Sequence, residues 1–435
     1  MRILSITAGA AGMYCGSCFR DNALAAELVA QGHDVTLIPV YTPTLTDEDN
    51  VSRPGVLFGG ISVYLQQQSA LFRRMPRVLD RLLDSPRVIN ALAGRGVSAD
   101  AATLGELTIS MLEGERGVLR KEFDKLIDWT RDEPRPDVIN LPNSLLISMA
   151  APLRKAFGRP VCCTLQGEEL FVDGLPPAYR ERALTLMREQ VATVDRFIAV
   201  SEYCADFMSS FLRIPSARMA VVPLGISMKG YSRRVTPQAS RASSSFRVGY
   251  FARVAPEKGL HGLAEAYVRL RRRMGDASAV LDVAGYMAPN HRPYLDQARG
   301  ILERAGLGGE FTYRGAIDRA AKLEFMRNID VLSVPAAYDE PKGMFLLEAM
   351  AAGVPVVQPR RGAFTEVVEK TRGGLLVERG DPDALANGLY AIWSDPSLAE
   401  RLSTAAYEGV RAHYTIAQSA SRLHDVYGAL QSKAA

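Results

Sequence analysis

A chain of 435 residues is too long for one ordinary core, so two or three domains are expected. Lysine and arginine together number 52 against 48 acidic residues, and a net charge of +4 over this length excludes wholesale nucleic-acid binding. No apolar run approaches the roughly 20 residues of a membrane span. Five cysteines, an odd number with Cys162 and Cys163 adjacent, do not make a secreted disulfide framework, so a reduced cytoplasm is the expected setting.

The first residues run straight into glycines and read as a strand, not as a signal peptide. Residues 3–7 are short and apolar, 21–30 are helical in pattern with Gly32 closing the helix, and 35–40 are strand-like, which makes a β-α-β unit. Apolar runs recur at 138–141, 161–165 and 197–200, each followed by polar or glycine turns and a helix, and 220–222 ends this half. One parallel, doubly wound sheet is predicted over 1–228. Its helical insertion, about 61–130, includes an arginine-rich stretch at 71–83. There Leu71, Met75, Val78, Leu79, Leu82 and Leu83 share one face, and Arg73, Arg74, Arg77 and Arg81 take much of the other. The plain reading is a surface helix; the alternative is a peripheral contact with the inner face of an anionic membrane.

Residues 229–245, rich in Ser, Arg and Pro and without apolar period, read as a linker. The second half restarts at 246–252 and continues with strand-like runs at 279–284, 310–313, 331–335, 354–357 and 374–377, again alternating with helices. A second parallel sheet is predicted over 246–410, with closing helical residues at 411–435. Asp381-Pro382-Asp383 resembles a metal-binding D-x-D only superficially; aspartate followed by proline and a helical run is a cap.

Glu340 and Glu348 are the residues that ask for a function. Glu340 belongs to the loop after the 331–335 strand, and Glu348 lies between Leu347 and Ala349 in a predicted helix, 345–352, that has almost no polar face. A buried carboxylate needs donors from the protein or from a ligand, and a ligand bearing hydroxyls would serve. Gly343, with the first-turn amides of Met344, Phe345 and Leu346, opens that helix toward the carboxyl end of the sheet, where ligands of open α/β folds bind. The stretch resembles the E-x7-E signature of the retaining glycosyltransferases of family 4, and the continuation Ala349-Met350-Ala351-Ala352-Gly353-Val354-Pro355-Val356-Val357 matches as well. The resemblance covers essentially the whole chain except 45–135.

The resemblance implies GT-B architecture: two Rossmann-like, doubly wound α/β domains facing a central cleft, with the last helix returning to the first domain. It also implies transfer of a sugar from a nucleoside-diphosphate sugar to a hydroxyl acceptor on a glycan, lipid or small molecule, with no cofactor or metal required. Arg253 and Lys258, one just past a strand end and one at the start of the next helix, match the family's diphosphate ligands. Glu348 would hold the donor ribose, and Glu340 would face sugar and phosphate. Gly16 stands within the place of the family's Gly-Gly pair. Gln166 stands where the family often has histidine, on the acceptor or sugar side, and cannot carry a proton at neutral pH. His33 resembles a structural family position.

Two rivals stay open. A sugar-nucleotide epimerase or NAD-dependent enzyme would use similar domains, but Gly9-Ala10-Ala11-Gly12 lacks G-x-G-x-x-G spacing. A non-catalytic metal or redox sensor would use Cys15 and Cys18, a C-x-x-C at a helix start, together with Cys162 and Cys163; small buried residues are the plain alternative.

Overall fold

The computed structural model describes residues 1–9, 16–69, 72, 101–233 and 245–431. The chain divides into two compact units, Met1–Pro223 with Ser419–Ala435, and Leu224–Gln418.

The first unit is built on six parallel strands, β1 (Arg2–Ala8), β2 (Asp34–Val40), β3 (Val138–Leu141), β4 (Val161–Leu165), β5 (Arg196–Ala199) and β6 (Met219–Val221), in the order β2-β1-β3-β4-β5-β6. Every residue of β3 and β4 is buried, which is why they read as unbroken apolar runs rather than as alternating ones. The order reverses between β1 and β3, which makes the carboxyl ends of those strands a topological switch point. The last helix, Ile416–Gln431, buries Ala420, Leu423 and Tyr427, and its Ser419 hydroxyl donates to the Pro223 carbonyl at 2.5 Å. His33 stacks on His424 of that helix, with ring centroids 4.7 Å apart. The insertion includes helices Gly60–Gln68, Ala101–Glu113 and Arg120–Asp132. The membrane reading of 71–83 falls outside the described residues, Phe72 apart, and among the described residues no helix is long and apolar enough to cross a membrane.

The second unit also carries six parallel strands, β7 (Phe246–Phe251), β8 (Ala279–Ala284), β9 (Phe311–Tyr313), β10 (Val331–Leu332), β11 (Val356–Pro359) and β12 (Gly374–Val377), ordered β12-β11-β10-β7-β8-β9. Its order reverses between β7 and β10. Two predicted strands change their bounds. The 331–335 run pairs with β7 as far as Leu332, its last ladder bond running from Ser333 N–H to the Gly249 carbonyl at 2.9 Å; beyond it Ala336 N–H turns back onto the Val334 carbonyl at 2.8 Å and takes the chain out of the sheet. The 354–357 run shifts to Val356–Pro359, since Leu332 N–H bonds the Pro355 carbonyl and pairing begins beyond it. The glutamate-bearing helix spans Met344–Ala351 and buries every residue after the first. Asp381 caps helix Pro382–Ser394, its carboxylate accepting from Asp383 and Ala384 N–H at 2.8 and 3.0 Å. Residues 224–228 join this unit: Ile226 N–H donates to the Tyr414 carbonyl and Ile416 N–H to the Ile226 carbonyl, both at 2.9 Å.

Candidate functional site

The switch point of the second sheet gathers the charged residues. After β7 the chain passes Arg253, turns through the 3-10 helix Pro256–Lys258, and enters helix Leu260–Met274 at Gly259. After β10 it crosses Tyr338 and Glu340 to Gly343 and helix Met344–Ala351. Ala337 N–H bonds the Glu257 carbonyl at 2.8 Å and ties the two loops together. Gly259 makes that approach feasible. Its φ is +74°, and a Cβ there would lie 2.0 Å from the Pro335 carbonyl oxygen, inside any tolerable contact.

Lys258 and Glu340 form a buried ion pair, their side chains 11% and 4% exposed. The Lys258 ammonium also donates to the Tyr338 hydroxyl at 2.8 Å, and lies 5.0 Å from the Tyr338 ring centre and 5.7 Å from that of Phe345. The Tyr338 hydroxyl donates to the same Glu340 oxygen, Oε2, at 2.5 Å. Burial by itself raises the Glu340 pKa. The charge and hydrogen bond of Lys258, the Tyr338 hydrogen bond and the charge of Lys342 outweigh it, and hold the carboxyl below its ordinary value. Glu340 is therefore an anion in a neutralised pair, not a proton donor.

Glu348 is answered from within the chain. Lys322, on helix Arg319–Asn328, donates to Glu348 Oε1 at 2.7 Å, and both side chains are buried. Arg253 is placed differently from Lys258: its guanidinium bonds Glu257 at 2.9 Å and stays 47% exposed, so the structure does not bring it into the Lys258–Glu340 pair. Gly343 has φ +71° and precedes the helix, where Met344 and Phe345 offer amides that the helix's own ladder does not use. The Leu346 amide is spent, since it donates to the Gly343 carbonyl at 3.0 Å, which corrects the expectation of three open amides.

In the first unit, Gly16 opens helix Gly16–Ala30, and among the described residues a Cβ there would meet nothing within 4 Å beyond its own chain neighbours and helix backbone. Gln166 follows β4 and is buried; its amide nitrogen donates to the Pro142 carbonyl at 2.8 Å and, among the described residues, its side-chain oxygen has no hydrogen-bond partner. Asp21 accepts from Thr7 and Arg20 at 3.0 Å, and Glu168 accepts from the Ser144 amide and hydroxyl at 2.9 and 2.7 Å. This buried polar network lies at the switch point of the first sheet.

Among the described residues the thiols do not assemble. Cys18, Cys162, Cys163 and Cys204 are buried, and burial pushes the Cys162 and Cys163 thiols up, away from the thiolate a metal needs. Neighbours in one strand, these two point to opposite sheet faces. Among the described residues no group of three or more His, Cys, Asp or Glu side chains is arranged to hold a metal; Cys15 lies outside them.

Two site residues escaped the sequence reading. Tyr338 sits two residues before Glu340 and carries no spacing signal. Lys322 left one: it occupies the buried stripe of its helix with Phe325 and Met326, at i, i+3 and i+4, where lysine does not belong unless paired.

The chain matches the model described as "Glycosyl transferase 4-like domain" over residues 22–225 and that described as "Glycosyl transferases group 1" over 234–409. It belongs to the family 4 glycosyltransferases. This transferase is similar to the 2-deoxystreptamine N-acetyl-D-glucosaminyltransferase of Streptomyces fradiae, at 28% identity over 64% of this chain and 68% of that one. It is also similar to the phosphatidyl-myo-inositol mannosyltransferase of Mycobacterium leprae, at 33% identity over 40% of this chain but only 43% of the relative. Sucrose-phosphate synthase of Thermosynechococcus elongatus shares the fold, with TM-score 0.70 and 20% identity over the full length of both chains. So does HepE of Anabaena, solved with UDP, with TM-score 0.68 and 17% identity over 99% of this chain and 100% of that one. Two Rossmann-like α/β domains of GT-B type are therefore the fold of this glycosyltransferase.

Proposed function

We propose that this transferase moves a sugar from a nucleoside-diphosphate sugar to a hydroxyl acceptor with retention of anomeric configuration. The observation that carries the reading is the pair of cations at the β7/β10 switch point: Lys258 beside Glu340, with Arg253 exposed earlier on the same loop. Breaking the bond between the anomeric carbon and the phosphate oxygen leaves charge on the diphosphate, and Arg253 and Lys258 are the groups suited to receive it. Glu348, paired with Lys322, suits the donor ribose hydroxyls. The Met344 and Phe345 amides suit phosphate oxygens.

Glu340 is a binding group in this reading. A carboxylate whose Oε2 accepts from the Tyr338 hydroxyl is a poor nucleophile, which favours front-face attack: the acceptor oxygen bonds the anomeric carbon on the face the phosphate leaves, and the departing phosphate oxygen takes the acceptor proton. Gln166 would then orient the acceptor or sugar without accepting that proton. The two cations supply the positive charge that a divalent ion supplies elsewhere, so no metal is required. Relatives named for 2-deoxystreptamine and phosphatidyl-myo-inositol make small polyols and their lipid conjugates the first acceptors to screen.

The test is thermal melting with UDP, GDP, ADP, dTDP and NAD in turn, without added metal. A ligand at about 100 times its dissociation constant adds about 2.7 kcal/mol. Selective stabilisation by one nucleoside diphosphate, with turnover lowered about 100-fold or more in Lys258→Ala, supports the proposal. Stabilisation by NAD alone, or near-normal turnover in Lys258→Ala, overturns it.

A further inference from the structure

The ammonium assigned to the diphosphate is already taken, and this determines what a donor has to do on arrival. Lys258 is buried against Glu340, so its charge is neutralised before any nucleotide binds. A diphosphate that draws Lys258 away leaves a carboxylate buried without its cation, which is strongly unfavourable unless another donor stays on the oxygen that Lys258 vacates. The Tyr338 hydroxyl meets that condition. It donates to Glu340 Oε2, the oxygen that also accepts from Lys258, and itself accepts from the Lys258 ammonium at 2.8 Å. The Tyr338 and Phe345 rings lie beneath the ammonium and give it a face to pivot on. The Ala337–Glu257 backbone bond and the contact of Gly259 with the Pro335 carbonyl fix the two loops, so Tyr338 stays in place while Lys258 moves.

We propose that Tyr338 is a positioning residue that lets Lys258 exchange Glu340 for the donor's diphosphate, holding Glu340 while the ammonium is on the ligand. This rests on the assignment of Lys258 to the diphosphate. No covalent bond is made or broken in the exchange and no proton moves. Donor binding thus contains a built-in competition, because every diphosphate must displace a carboxylate from the same ammonium, and Tyr338 lowers the free energy of the exchanged state.

Tyr338→Phe keeps the ring and its packing and removes only the hydroxyl. The measurement is titration calorimetry of the full chain with the nucleoside diphosphate that stabilises it in the melting panel, and with the matching nucleoside, which has no phosphate to compete for Lys258. Tyr338→Phe is expected to weaken the diphosphate at least about tenfold and leave the nucleoside unchanged. Glu340→Gln is expected to tighten the diphosphate, since Lys258 then has no anion to leave, and to make binding indifferent to a further Tyr338→Phe change. Equal weakening of diphosphate and nucleoside would mean a merely structural tyrosine and overturn the proposal, as would unchanged diphosphate binding in Tyr338→Phe or weaker binding in Glu340→Gln. Wild-type binding that is lost in Lys258→Gln yet untouched by Tyr338→Phe overturns the role of Tyr338 alone. A wild-type chain that binds none of the diphosphates overturns the nucleotide-site assignment with it.

Discussion

Removing Lys322 isolates the cost of a buried carboxylate. Lys322→Met keeps the apolar stem in the stripe with Phe325 and Met326 and deletes only the ammonium that sits 2.7 Å from Glu348. Lys322 and Glu348 expose only 5% and 11% of their side chains, so solvent cannot replace the lost partner. Breaking a buried pair from one side costs about 3–5 kcal/mol, whereas replacing both partners with apolar groups of similar size is often neutral or stabilising. Each kcal/mol shifts the midpoint of a unit the size of Leu224–Gln418 by about 2–4 °C, so the transition of that unit should fall by about 6–20 °C in Lys322→Met. The assay is calorimetric unfolding of the full chain, wild type against Lys322→Met, Glu348→Leu and the double variant, read as a coupling energy. The double variant should recover most of the loss. A single-variant loss below about 1 kcal/mol, with no coupling between the two sites, would refute the claim that Lys322 is what makes Glu348 tolerable in its apolar helix.

Two further outcomes follow from the same site. Because the Glu340 carboxyl titrates below its ordinary value in the folded chain, its contribution is fully present above the unfolded value of 4.5 and is lost as pH falls through the lower folded value. The melting advantage of wild type over Glu340→Gln should therefore be constant near neutrality and shrink below about pH 4.5, and an advantage that grows on acidification would contradict the pairing with Lys258. Gly259→Ala forces a Cβ to 2.0 Å from the Pro335 carbonyl, whereas Gly306→Ala has a similar φ, +76° against +74°, but meets nothing within 4 Å. Gly306→Ala should cost about 1 kcal/mol of backbone strain; Gly259→Ala should cost several times that and reduce transfer, because the loops carrying Lys258 and Glu340 must separate. Equal losses in chain melts of the two variants would show that the approach of the loops is not tight.

The strands of both sheets were legible because parallel strands covered on both faces must be apolar throughout, as β3 and β4 are, and because turns and helices of ordinary length separate them. Glu348 was legible as an anomaly for the same reason, a charge in an unbroken apolar run. Where β10 ends was not, since Val334 and Pro335 are as apolar as Val331, and a backbone bond from Ala336 to Val334 turns the chain away after Ser333. Nor could the chain order reveal that β7 and β10 are neighbours, which places residues 80 and 82 positions apart in one hydrogen-bonded group with Lys258. Local pattern records what each segment buries, and so determined the α/β class and the glutamates in need of partners. The partners themselves, Lys322 for Glu348 and Lys258 with Tyr338 for Glu340, were decided by tertiary structure, because a charge pair depends on distance in space and leaves no period in the sequence.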